Sequence, residues 1–258
     1  MFKSIHNKGM ASHLVDILDS DDRNLEERRR LADLMCLFAE FPPPPDPIGL
    51  FGRYGELKEC FLAVVDGPDG EVVEEAFLEL YCHVHGYEAP YTPQERYRVD
   101  ETGGYWCHAG GLSPILKAGA FITEETVSGD FGAGNGLQGL LMQKLYPHAK
   151  TVQIEISSRM VEAGIQLQDW LGIPRERVEW VVGDVMDASC VGMDFVYMYR
   201  PVRPVGEGKG FYERIAAELD SSDKSVVIFS IADCLRQFLS KRFEEIYCDG
   251  HLTCFKKA

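Results

Sequence analysis

The residues of this chain whose types and spacing point most directly to chemistry are four glycines behind an acid, Asp130-Phe-Gly132-Ala-Gly134-Asn-Gly136-Leu-Gln-Gly139. A short run from Val127 leads into them and an apolar-periodic segment follows, which reads as strand, tight turn and helix. Glycine is needed where φ is positive or where a ligand must come close to the main chain. The start of a helix also offers N–H groups that no preceding carbonyl takes. A site for a polar or charged cofactor is expected at this turn.

Two cofactors compete for these residues. Gly134-Asn-Gly136-Leu-Gln-Gly139 matches G-x-G-x-x-G, the dinucleotide fingerprint, with Glu155 placed to take a ribose hydroxyl. Asp130-x-Gly132-x-Gly134-x-Gly136 instead resembles the first motif of class I S-adenosylmethionine (SAM) methyltransferases. In that family an acid ends the first strand and helps hold the amino-acid end of the cofactor.

The elements that must position this turn follow downstream. Lys150 to Glu155 reads as a second strand ending in an acid, and Ser157 opens a helical segment stopped by Gly172 and Pro174. Arg177 to Val182 is a third strand with Gly183-Asp184 behind it, and Asp194 to Tyr199 a fourth, with Pro201 and Pro204 forcing a turn. Glu207 to Leu219 reads as helix and Lys224 to Ile231 as a fifth strand. The alternation predicts an α/β fold, a Rossmann-like doubly wound sheet with helices on both faces. Asp249-Gly250 between two β-rich runs, Phe243 to Cys248 and His251 to Phe255, predicts a closing antiparallel hairpin.

That hairpin resembles the end of the class I methyltransferase sheet, whose last strand is antiparallel, and a nicotinamide-binding domain has no reason to end so. The resemblance covers roughly Leu112 to Ala258. It implies SAM as cofactor and S-adenosylhomocysteine (SAH) as product. It further implies a binding set of Asp130, Gly132, Gly134, Asn135, Gly136, Glu155, Ile156, Gly183, Asp184 and Val185. Glu155 would take the ribose hydroxyls and Asp184 the adenine amino group. Taken singly, each acid is also an ordinary strand-end carboxylate; their joint placement after successive strands favours the cofactor.

Residues 1–112 read as a separate, mainly helical cap or lid, and 113–258 as the SAM-binding domain. Asn24 to Phe41 carries Leu31, Leu34, Met35, Leu37 and Phe38 behind Glu26 and Glu27, an acidic first turn. Pro42 to Pro47 ends it as a stiff connector, and Val72, Val73, Ala76, Phe77, Leu80, Tyr81 and Val84 form the apolar face of another helix.

Composition narrows the class. No apolar run approaches a membrane span and no apolar signal core stands at the N-terminus, so a soluble, cytoplasmic protein is expected. Eight cysteines without a C-x-x-C pair read as reduced thiols. Cys82-His-Val-His85 and Cys107-His108 carry ligand types but not the spacing of zinc sites, and no metal is assigned. The formal net charge is −15, and residues 1–112 hold 10 Lys+Arg against 21 Asp+Glu. Such an acidic region repels a phosphate backbone, so nucleic acid is disfavoured as a partner.

The acceptor side rests on fewer residues. Tyr199-Arg200-Pro-Val-Arg203-Pro204 follows the fourth strand, beside the methyl group in the family it resembles, and lacks the Asp/Asn-Pro-Pro-aromatic pattern of amino-adenine enzymes. Tyr199 could orient an acceptor, and Arg200 could clamp an acidic group or pair with Glu207 or Glu213. Gly103 to Pro114 offers Tyr105 and His108, the latter a candidate general base. The expected activity is methyl transfer to a small acidic molecule. The alternatives are a protein or RNA methyltransferase, a SAM-binding module without catalysis, and an NAD-binding dehydrogenase domain.

Overall fold

Runs of β-branched and aromatic residues after position 126 assemble one seven-stranded sheet. Its strands are β1 (Val127–Phe131), β2 (Lys150–Glu155), β3 (Val178–Val182), β4 (Phe195–Tyr199), β5 (Val227–Ile231), β6 (Phe243–Cys248) and β7 (Leu252–Lys257). The computed structural model describes residues 7–19, 23–86, 91–104, 111–232 and 234–258. Strand order is β3-β2-β1-β4-β5-β7-β6. The first five strands pair in parallel, and β7 runs antiparallel to both β5 and β6. This is the Rossmann-like, mostly parallel sheet with an antiparallel end that the alternation and the closing hairpin predict.

The hairpin forms for a local reason. Asp249 Oδ1 accepts from the N–H groups of His251 and Leu252, at 2.9 and 2.7 Å, while Gly250 takes φ +89°. An aspartate that replaces a main-chain turn bond, followed by a residue free to adopt positive φ, closes the strands in register.

Helices α7 (Leu137–Leu145), α8 (Ser158–Trp170) and α9 (Glu207–Ser221) connect the strands. Phe131, Val196 and Met198 of the sheet pack with Phe211, Tyr212 and Ile215 of α9 in one buried cluster. The buried Lys257 ammonium donates to the carbonyls of Leu219, Asp220 and Ser222, placing a cation at the negative end of α9. Because β1 is flanked by β2 on one side and β4 on the other, the chain reverses its direction of winding at β1. The crevice beyond its carboxyl end is where open α/β sheets bind ligands.

Contacts divide the chain into two units, Met1–Tyr87 and Glu88–Ala258. The first holds α1 (Asn7–Ile17), α2 (Leu25–Glu40), α3 (Tyr54–Val64) and α4 (Gly70–Val84). Asn24 caps α2 by accepting from Glu26 and Glu27 N–H groups while Glu27 returns a bond to the Asn24 N–H. Phe38 of α2 meets Phe77 of α4 edge-on at 5.4 Å, and Leu31, Leu34, Leu80 and Tyr81 are buried with them. Val72, read from the sequence as part of the α4 core face, is 45% exposed instead.

The second unit begins before residue 112, the boundary read from the sequence, and takes in α5 (Pro93–Thr102) as well as α6 (Ser113–Ala118). Local signals make α5. Thr92 and Glu95 form a reciprocal capping box, Pro93 opens the helix, and Gly103 ends it at φ +64°. No residue of α5 is fully buried, so no apolar stripe announces it.

Candidate cofactor site at the carboxyl edge of the sheet

The glycine turn is held by the strands on which it sits. Gly132 and Ala133 N–H groups both donate to the Ile154 carbonyl, at 3.0 and 2.9 Å. The Gly134 N–H donates to Glu155 Oε2 at 2.8 Å, the Gly136 N–H to the Ala133 carbonyl at 2.8 Å, and the Leu137 N–H to Asn135 Oδ1 at 3.2 Å. These donors, which the sequence leaves open to an anionic ligand, already have partners inside the protein. The turn therefore offers close approach rather than an anion nest.

Its glycines divide into two kinds. Gly132 and Gly134 stand at φ +83° and +59°, and an added Cβ would come no nearer than 3.4 Å to Pro201 and 3.9 Å to Met160. Backbone conformation and open space, not packing, ask for glycine there. At Gly136 a Cβ would fall 2.4 Å from the Trp180 ring, and at Gly139 2.5 Å from the Gln153 amide. Those two serve the docking of α7 on the sheet, and Asn135, fully buried, caps the same helix.

Asp130 lies beneath this turn, 3% exposed. Its carboxylate accepts from the Gly139 N–H, yet Oδ2 has no partner among the described residues. Burial first, then the charge of nearby Glu155, push its pKa up to about 8. A buried carboxylate oxygen left unpaired is costly, and a cation supplied by a ligand relieves it.

Glu155 ends β2 and is also buried. It accepts from the N–H groups of Gly134 and Ser157, at 2.8 and 2.9 Å, and from the Tyr91 side chain. Burial raises its pKa against these hydrogen bonds. Asp184, behind β3, accepts from the Met186 N–H at 2.9 Å through Oδ1 and from Arg98 Nε at 2.7 Å through Oδ2. Arg98 Nη1 also donates to Glu101 and Glu207, at 3.0 and 3.3 Å, and these acids hold its guanidinium firmly charged.

A cavity of about 60 Å³ joins Glu155 and Asp184, lined by Gly132, Glu155, Ile156, Asp184, Val185 and Tyr199 together with Pro201 and the Tyr91, Arg98, Val99 and Thr102 side; Asp130 lies beside it, behind Gly132, and is not one of its lining residues. Six residues picked from sequence thus line one cavity. Gly183 lies at its rim, its N–H donating to the Glu155 carbonyl at 2.9 Å. Tyr105 and His108 fall outside the described residues. Among the described residues, no three His, Cys, Asp or Glu side chains group to hold a metal ion. No helix among them is long and apolar enough to cross a membrane.

Sequence reasoning missed Tyr91, Arg98, Val99 and Thr102. The signal was present in Thr92-Pro-Gln-Glu95 and Gly103, a helix start and stop at proper spacing, but a helix polar on every face leaves no period to find. It missed His251 too, whose ring meets Tyr199 edge-on at 5.8 Å. A turn histidine in a hairpin gives no sign of the strand end it faces.

On the acceptor side, the anticipated ion pairs are differently arranged. Glu207 binds Arg98 and Glu213 binds Lys209. Arg200 sits at φ +33°, and its charge acts on the buried Tyr212 hydroxyl, which donates to the Val202 carbonyl at 2.8 Å. The non-glycine residues with positive φ among those described, Arg200 and Ala232, directly follow the carboxyl ends of β4 and β5. Strain of this kind concentrates at functional edges, where surrounding structure holds it.

No family model matches the chain, and no curated relative matches it. Among solved structures it is similar to an RNA methyltransferase from Salinibacter ruber in complex with S-adenosyl-L-homocysteine, at 19% identity over 56% of this chain and 87% of that one, with a TM-score of 0.41. A putative rRNA methylase from Clostridium thermocellum matches at 11% identity over 56% of this chain and 93% of that one, TM-score 0.45. The Pyrococcus abyssi tRNA (uracil-54, C5)-methyltransferase, also in complex with S-adenosyl-L-homocysteine, matches at 15% identity over 57% of this chain and 37% of that one, TM-score 0.41.

Proposed function

We propose that the chain is a SAM-dependent methyltransferase whose cofactor lies along the carboxyl ends of β1, β2 and β3. The observation that carries this reading is the buried Asp130 Oδ2, without a partner among the described residues, beneath a glycine turn whose N–H groups at 132, 133, 134 and 136 are already engaged. A dinucleotide needs N–H groups aimed at its pyrophosphate and no carboxylate close by. An amino-acid head with an ammonium group needs the reverse.

The residues present suit such a ligand. Asp130 would accept from the ammonium, and Gly132 and Gly134 leave the space for its main chain. Glu155 would take ribose hydroxyls, Asp184 the adenine amino group, and Ile156 and Val185 the faces of the base. SAM supplies an electrophilic methyl carbon. The protein's work is then to align an acceptor in line with that carbon, exclude water and, for a protonated acceptor, take up a proton.

On this reading an acceptor would approach past Tyr199 and Arg200 at the end of β4, with His251, beside Tyr199, as a proton acceptor alongside the candidate His108. The strained backbone at Arg200 supports a role for this side chain at the mouth. A small acidic molecule remains our reading of the acceptor, with RNA or protein as the second. The chain's net charge of −15 weighs against the phosphate backbone.

Calorimetry with SAH tests the cofactor. Glu155→Ala and Asp184→Ala should each weaken binding by about tenfold, near the low end of the roughly 1.5 to 3 kcal/mol for hydrogen bonds to charged groups. Unchanged affinity in both, or binding of NAD in place of SAH, would sink the reading. Labelled methyl from SAM, followed into metabolite, RNA and protein pools of a cell extract, separates the acceptors. Arg200→Lys should then abolish transfer to an acidic metabolite while leaving SAH affinity within a few-fold, since an ammonium cannot reproduce a two-point fork.

A further inference from the structure

Two carboxylates line the nucleoside end of the cavity, and each already accepts a donor from the same short segment of the chain. Tyr91, just before α5, donates its hydroxyl to Glu155. Arg98, on α5, donates Nε to Asp184 at 2.7 Å. On the cofactor reading above, on which this inference rests, a ribose hydroxyl and an adenine amino group would make those same two bonds. We infer that Tyr91 and Arg98 stand in, donor for donor, for the adenosyl group, so that α5 is a built-in competitor for the nucleoside subsite.

Three further observations support this. The cavity left under α5 is about 60 Å³, against roughly 300 to 1,000 Å³ for pockets that hold ligands of this size. A nucleoside cannot enter while α5 stays where it is. The segment is also fastened rather than adrift. The Arg203 N–H donates to the Thr102 carbonyl at 2.9 Å, and the bare face of Gly103 lies against the Arg203 side chain, so the end of α5 is tied to the loop that carries Arg200. Finally, Arg98 gathers three acids, Glu101, Asp184 and Glu207, of which Asp184 alone belongs to the cofactor set. When α5 moves, Arg98 keeps Glu101, three residues along its own helix, and releases Asp184.

A site that must first open binds with an apparent affinity reduced by the fraction of molecules already open. Entry of the adenosyl group and departure of α5 are then one event, and the same motion frees the β4–α9 loop for an acceptor.

The test uses the full chain and SAH, by calorimetry and by hydrogen exchange of the α5 amides. Arg98→Ala and Tyr91→Phe should each tighten SAH binding by about threefold to tenfold, at unchanged melting temperature, because the competitor is weakened and the carboxylates remain. Adding SAH to the unaltered protein should speed exchange across residues 93–102. Weaker binding in Arg98→Ala, or slower exchange of α5 with SAH, would overturn the inference and make α5 a lid that touches the cofactor. If SAH is bound by the parent and lost in Asp184→Ala while both α5 variants match the parent, the inference fails and the cofactor reading stands. If SAH binds to none of the proteins, both fail.

Discussion

The two ends of the groove beyond β1 are built oppositely. At the glycine end, Asp130 keeps a buried oxygen without a partner among the described residues, and Gly132 and Gly134 leave room for a Cβ. At the other end, Glu155 accepts from Tyr91 and Asp184 from Arg98, besides main-chain N–H groups, and little volume remains. A ligand entering the first end repairs a deficit, whereas one entering the second merely exchanges partners. On the proposed cofactor reading, net binding free energy should therefore come mainly from the glycine end, although the other end presents more carboxylate.

The largest effect should follow from filling the bare end. Gly134→Val should reduce SAH affinity by more than about a hundredfold, some 2.8 kcal/mol, because its side chain occupies the space that the turn keeps clear. Unliganded stability should fall by only about 1 to 2 kcal/mol, the cost of left-handed backbone. Gly136→Ala inverts the pattern. Its Cβ would strike Trp180 at 2.4 Å from a backbone at φ +69°, so overpacking of about 1 to 3 kcal/mol adds to the same backbone cost. Denaturation and SAH titration of both variants decide the matter; equal losses of stability would show that the turn is structural throughout.

Asp130→Asn should give the next effect, and with opposite signs in two measurements. SAH binding should weaken about tenfold or more, as an ammonium loses a charged acceptor. Stability of the unliganded protein should behave otherwise. Asp130 is pushed up to about 8 in the fold, from an ordinary value near 4. Across that window the folded state holds a proton that the unfolded chain has released. Its contribution is therefore complete below the ordinary value and is lost as pH rises through the folded one. The wild type should lose stability relative to Asp130→Asn between roughly pH 4 and 8, and the two curves should run parallel above that. Denaturant titrations at pH 5, 7 and 9 test this, and a constant difference would mean that Asp130 is ionised in the empty fold.

The acids and glycines of the groove were legible in the sequence and the side chains that occupy its second end were not, for a physical reason. Asp130, the glycines and Glu155 sit at ends of strands buried in the sheet interior, Asp184 follows the β-branched run of the edge strand β3, and β2 and β6 have the limits that patterning predicts. The hairpin followed from Asp249-Gly250 because two residues settle that turn. Arg98 acts from a helix held by caps and ion pairs, with no apolar face, and Tyr91 from the residue before its cap; their partners lie far along the chain, 86 residues away for Arg98. Nothing local encodes such a pairing. The glycines looked alike in sequence, and only the neighbours of their absent side chains distinguish Gly134 from Gly136.

The smallest effect is a coupling, and it bears most directly on the difference between the two ends. On the proposed reading, Asp184→Ala in the parent removes a bond to the cofactor but also the bond from Arg98 that opposes it, so part of the loss cancels. With Arg98→Ala already present there is nothing left to cancel, and the same substitution should cost the full value. SAH affinity should accordingly fall about threefold to tenfold further for Asp184→Ala in the Arg98→Ala background, a coupling of some 0.7 to 1.4 kcal/mol. Asp130→Asn, at the end without an internal competitor, should cost the same in either background. Calorimetry on the four proteins of each cycle resolves the two cases, since independent sites add within about 0.3 to 0.5 kcal/mol. Additivity at Asp184 as well as at Asp130 would mean that Arg98 does not compete for the carboxylate, and the two ends of the groove would then differ in shape alone.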